Sequence, residues 1–97
     1  MNKQLTVVAK IVAKAGVEDR LEAELRRLVP PTRSEDGCVQ YVLHRSIDDP
    51  CVFLFYETWT AEQDLEAHLQ SPHFKAFQAE ANELVDEMEL LKLERLD

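Results

Sequence analysis

The run Val52–Phe53–Leu54–Phe55–Tyr56 is apolar at every position, so a strand built from it is apolar on both faces. An antiparallel sheet with one solvated face alternates apolar and polar residues instead. The first strand-like run has nearly the same property. Leu5, Val7, Ala9, Ile11 and Ala13 share one side, and Val8 and Val12 stand on the other. The helical stretches of the chain can cover only one face of a small sheet. The second face needs an apolar cover, and another copy of the same sheet is the simplest one. The pattern predicts a homodimer packed sheet to sheet. The plainer alternative is a small sheet with scattered exposed apolar residues.

The other elements follow from periodicity and punctuation. Residues 4–14 form a strand that Gly16 ends. Residues 17–33 are helical, with Val17, Leu21, Leu25, Leu28 and Val29 on one stripe. Pro30 and Pro31 predict an end or kink near Val29. Residues 38–47 and 51–59 form a hairpin around Asp48–Asp49–Pro50. Thr60 and Gln63 fit a capping box for a short helix reaching about Leu69. Ser71 and Pro72 start another helix, with Phe74, Phe77, Ala81, Leu84 and Val85 as its stripe. Met88 to Leu96 gives a last strand, with helix as its competitor. The expected class is α+β: a ferredoxin-like βαββαβ order, an antiparallel sheet with helices on one face. A chain of 97 residues makes a single domain, 1–97.

Charge narrows the function. Nineteen acidic residues against 11 basic ones leave a net −8. Such a chain repels phosphate backbones and anionic membrane surfaces, so neither nucleic acid nor membrane is expected as a partner. No stretch reaches the roughly 18–20 apolar residues of a membrane span. No cleavable leader is evident, so a cytoplasmic location is expected. Two glycines rule out a glycine-rich phosphate loop. Cys38 and Cys51 fall at opposite ends of the hairpin, too far apart for a disulfide. His68 and His73 are five apart with Pro72 between them, which argues against a shared metal.

Several polar residues fall among apolar ones. Glu57 shares a strand face with Phe53, Phe55 and Trp59, either at a wet sheet edge or in a lined pocket. Tyr41 comes level with Tyr56 or Glu57 across the hairpin, where it can bond Glu57 or face the same cavity. His68, at a helix end, caps carbonyls or acts as a base with a pKa near neutral. His73 is expected to face solvent. Phe74 and Phe77 read first as core.

Three motifs then speak together. They are E-x-G-C-x-x-Y (Glu35, Gly37, Cys38, Tyr41), E-x-W (Glu57, Trp59) and H-x-x-S-x-H-F (His68, Ser71, His73, Phe74). With these motifs the chain resembles the antibiotic biosynthesis monooxygenase domain family over nearly its whole length. The resemblance implies a ferredoxin-like monomer and a dimeric α+β barrel. It implies oxidation of a small aromatic quinol or polyphenol by O2, without flavin, haem or metal as cofactor. It gives His68 the role of base or anion stabiliser, Glu57 that of orienting or tuning it, and Tyr41 that of bonding a substrate oxygen. Trp59, Phe74, Phe77 and Phe55 would line the substrate pocket. Haem-degrading relatives carry an axial histidine in the second long helix, and the matching stretch Phe74–Gln78 has none. A non-catalytic dimeric ligand-binding or stress module, or an isomerase of the same fold, is the alternative. Convergence of Glu57 and His68 on one cavity separates the enzyme from the binding module.

Overall fold

The computed structural model of the chain describes residues 3–97. Its elements are β1 (Leu5–Ala13), α1 (Glu18–Arg33), β2 (Cys38–Arg45), β3 (Val52–Trp59), α2 (Glu62–Leu69), α3 (Pro72–Leu84) and β4 (Val85–Leu93). The strands form one antiparallel sheet in the order β2-β3-β1-β4. This is the expected ferredoxin-like α+β plan, with the second helical stretch divided in two before Ser71.

Strand register sorts the side chains into two layers. On the inner face Leu43, Phe55, Ala9 and Leu90 lie side by side across all four strands. Tyr41, Glu57 and Val7 form the next row on that face. Against these pack Leu21, Leu25 and Leu28 of α1, Leu65 of α2, and Phe74, Phe77 and Leu84 of α3. On the outer face the register aligns Val42, Tyr56, Val8 and Leu91 in one row. Tyr56 is 40% exposed and Leu91 45%, so none of the described residues fully covers this row. The doubly apolar strands therefore do what their sequence requires on one side only.

A bulge tunes which residues face inward. Cys38 pairs with Trp59 and Gln40 with Thr58, leaving Val39 as an extra residue in β2. A bulge advances the pleat by one residue. It puts both Cys38 and Tyr41 on the inner side, and His44 on the outer one.

Four local expectations change. The helix does not stop near Val29, because α1 runs through Pro30 and Pro31 to Arg33. Each proline removes one donor, but Ser34 rebuilds the end: its N–H reaches the carbonyls of Pro30 and Pro31, and its hydroxyl bonds Pro30 again. Thr32, fully buried four residues after Leu28, continues the inward stripe. The capping box at Thr60 does not form. Ala61 is the N-cap of α2 and makes no side-chain cap, while the Thr60 hydroxyl bonds the Asp64 carboxylate. Strand β2 ends at Arg45 rather than 47. The last strand starts at Val85, directly after α3, because Val85 is already paired with Ala13. Ser71 does cap α3, its hydroxyl accepting from the Phe74 N–H at 3.2 Å.

The turn after α1 is docked on the start of α2. The Thr60 N–H donates to the Gly37 carbonyl at 3.0 Å. A Cβ on Gly37 would run into the Asp64 side chain, so only glycine allows this approach. Cys38 and Cys51 are free thiols at opposite ends of the hairpin. Among the described residues no helix is long and apolar enough to cross a membrane.

Candidate active site

Between the sheet and the helices lies a small cavity. Glu57, Tyr41 and Phe55 line it from the sheet, Leu28 from α1, His68 from α2, and Phe74 and Phe77 from α3. Its volume of about 10 Å³ is room for roughly one water sphere. A cleft of about 190 Å³ opens outside it between α1 and α3. Leu28 and Phe77 line both spaces and form the wall between them. A larger groove, about 380 Å³, lies between α1 and β2. Its arginines are engaged elsewhere: Arg26 with Glu22, Arg45 with Glu22 and the Pro50 carbonyl, Arg33 with the Tyr41 carbonyl. None of the residues lining it is a buried base, whereas the smaller space is lined by the buried His68 and Glu57.

His68 is 2% exposed and is surrounded by rings. The centroids of Trp59, Phe74 and Tyr41 lie 5.0, 5.1 and 5.6 Å from its own. Its backbone carbonyl accepts from the Ser71 hydroxyl at 2.6 Å, which pins the joint between α2 and α3. The ring does not cap the helix. Its Nδ1 lies 2.8 Å from Glu35 Oε2. Burial pushes its pKa below the ordinary value, and the Glu35 carboxylate partly offsets this. A neutral imidazole is what a general base requires.

Glu57 is 3% exposed, and the Trp59 indole N–H donates to its Oε1 at 2.9 Å. Burial raises its pKa to about 7, helped by the Glu35 charge and opposed by that indole bond. Near neutral pH this carboxyl exchanges a proton readily. The Tyr41 ring stacks on Phe55, with centroids 4.3 Å apart. Burial, and then the Glu57 carboxylate, push the Tyr41 hydroxyl well above its ordinary range, so it stays an O–H donor. Cys38 is also raised, chiefly by burial, and remains a thiol.

Glu57, Tyr41, His68, Phe55, Phe74 and Phe77 all meet at the cavity. Trp59 stands behind it, holding Glu57. The carboxylate that meets His68 is Glu35, and not Glu57. His73 is not free in solvent: its side chain is 23% exposed, and its Nε2 lies 2.7 Å from the same Glu35 oxygen. Spacing along one helix misses this, because α2 ends before Ser71 and α3 leaves in a new direction. The motifs carried the signal, since Glu35 opens E-x-G-C-x-x-Y and His73 stands in H-x-x-S-x-H-F.

Glu35, His68 and His73 bring three ligand-type atoms within 4.8 Å of one another. A metal on His68 Nδ1 would leave its other N–H in the apolar cavity, and metal-bound histidines almost always give that hydrogen to an acceptor. Among the described residues no such acceptor meets it. Both histidines instead bond the same Glu35 oxygen.

Comparison with known proteins identifies the family. Residues 4–80 match the family model described as antibiotic biosynthesis monooxygenase. The solved structure of PA3566 from Pseudomonas aeruginosa aligns with a TM-score of 0.96 at 38% identity, covering 100% of this chain and 98% of that one. The Mycobacterium tuberculosis protein named "Putative monooxygenase Rv0793" is 33% identical over 88% of this chain and 83% of its own length. "Probable quinol monooxygenase YgiN" of Escherichia coli is 33% identical over 75% of this chain and 80% of its own length. The match spans most of the chain and includes the segments that carry Glu35, Glu57 and His68, and the chain belongs to the antibiotic biosynthesis monooxygenase family.

Proposed function

We infer that the protein is a cofactor-independent monooxygenase that oxidises a small aromatic quinol or polyphenol with O2. The observation that carries this reading is the meeting of His68, Glu57 and Tyr41 in one small, aromatic-lined cavity. A quinol needs little from its catalyst. Removing a phenolic proton makes an electron-rich anion that passes one electron to O2. Recombination of the radical pair bonds one oxygen atom to the ring, and the other leaves as water. The net change, quinol plus O2 to hydroxyquinone plus water, balances with the substrate as the only reductant.

His68, neutral and buried, takes the phenolic proton. Tyr41 donates its O–H to a substrate oxygen. Glu57, with its pKa raised to about 7, can hold a proton at neutral pH, and in that neutral form it does not repel the substrate anion. The rings of Phe55, Phe74 and Phe77 exclude water, which strengthens each of these interactions. The cavity is smaller than any quinol, so entry requires side chains around it to move, and the Leu28–Phe77 wall beside the outer cleft is the entrance this reading assigns.

The same reading includes a homodimer. The outer row of Val42, Tyr56, Val8 and Leu91 is apolar, spans all four strands and faces away from the helices. A second copy of this sheet is complementary to it by two-fold symmetry.

The test is O2 uptake by metal-stripped protein against a panel of hydroquinones and dihydroxynaphthalenes, corrected for autoxidation. Saturable uptake, with one atom of labelled O2 in the product, is the expected result. Turnover of the panel without O2 consumption would replace this reading with an isomerase.

A further inference from the structure

This inference rests on the reading of His68 as the base, and concerns what makes it one. Glu35 comes from the turn after α1, His68 from the last turn of α2 and His73 from the first turn of α3. Both ring nitrogens reach one atom, Glu35 Oε2, at 2.8 and 2.7 Å. A carboxylate offers only lone pairs, so each of those nitrogens must bring a hydrogen. In a neutral imidazole only one nitrogen carries it. If Nδ1 of His68 holds the hydrogen, Nε2 is bare, and among the described residues no protein group bonds it.

We propose that Glu35 is the positioning residue of this site: it fixes His68 in the Nδ1–H form and so presents a bare Nε2 to the cavity, while His73 clamps the same carboxylate oxygen from the solvent side. The logic is that of a base held in its working tautomer by a third group. A side chain partly open to water performs the task for one that is enclosed. When His68 takes a substrate proton, the imidazolium that forms lies 2.8 Å from a negative charge already in place.

Ring nitrogen NMR on the 15N-labelled full chain reads this without substrate. The wild type should show His68 neutral, with hydrogen on Nδ1. Glu35→Ala should move that hydrogen to Nε2 in much of the population. Glu35→Gln, whose amide oxygen still accepts, should retain the Nδ1–H form. His73→Ala should give a smaller shift in the direction of Glu35→Ala. In turnover, Glu35→Ala should lower kcat at least about tenfold, and up to the ~10⁴-fold seen when a catalytic histidine loses its orienting carboxylate, with KM little changed. Glu35→Gln should recover part of that loss. A His68 that carries hydrogen on Nε2 in the wild type, or that keeps Nδ1–H and full kcat in Glu35→Ala, overturns the proposal. If the wild type turns over no quinol, the assigned reaction fails, and the NMR result still decides the tautomer.

Discussion

Glu57, on the central strand β3, and His68, at the end of α2, face one small cavity from opposite layers of the fold. The sheet supplies a carboxyl whose pKa burial raises to about 7, and the helices supply an imidazole that burial keeps neutral. Two titratable groups shifted by the same dry surroundings are what proton-transfer chemistry at neutral pH demands. The charge of Glu35 has the same sign as that of an ionised Glu57 and raises its pKa further.

The buried carboxyl has a measurable signature in stability. Its folded value of about 7 lies above the ordinary 4.5, so the folded state holds this proton more tightly than the unfolded one. Its contribution is fully present below the unfolded value and is lost as pH rises through about 7, in total ~3 kcal/mol. Glu57→Gln keeps an oxygen for the Trp59 N–H and removes the titration. The stability of the wild type relative to this variant should therefore fall between about pH 5 and 8. The opposing titration of His68 is common to both proteins and cancels. Urea unfolding at stepped pH checks this, and a flat difference contradicts it.

The outer face has its own test. Tyr56 is 40% exposed in a single copy, so Tyr56→Asp should cost the isolated chain little. In a sheet-to-sheet dimer the same change buries a charge without a partner. Sedimentation should show a wild-type dimer and a variant that dissociates while its circular dichroism remains that of a folded chain. A monomeric wild type contradicts the dimer.

Phe77, which lines both the cavity and the outer cleft, tests the proposed entrance. Phe77→Ala empties a buried site and should cost about 3–5 kcal/mol of a total of about 5–15, which is too much for clean kinetics. Phe77→Leu keeps most of the packing and thins the wall between the cavity and the outer cleft. Its kcat/KM for a two-ring quinol should rise relative to that for a one-ring quinol. An unchanged ratio, measured with both substrates, places the entrance elsewhere.

Much of this architecture was legible in the residue pattern. Strand β3 announces its two apolar faces, and the register confirms Glu57 on the side of Phe53 and Phe55. The hairpin brings Tyr41 level with Glu57, one of the two partners the turn allowed. Other features depend on tertiary context. Helix α1 passes two prolines because Ser34 closes its end and Thr32 is buried, neither of which a propensity scale contains. The Val39 bulge shifts the pleat by a backbone irregularity that leaves no mark in alternation. Glu35 and His68 are 33 residues apart and meet only because Gly37 lets the turn after α1 press against α2. The motifs named both residues, while only the fold shows that one holds the other.

The most direct measurement compares O2 uptake by the wild type and by His68→Ala, both metal-stripped, on whichever quinol the wild type oxidises best. A general base contributes about 10²–10⁴-fold, so the account predicts a loss of that order in kcat, with the variant folded. A His68→Ala protein that retains the wild-type rate to within about tenfold would remove His68 from the mechanism.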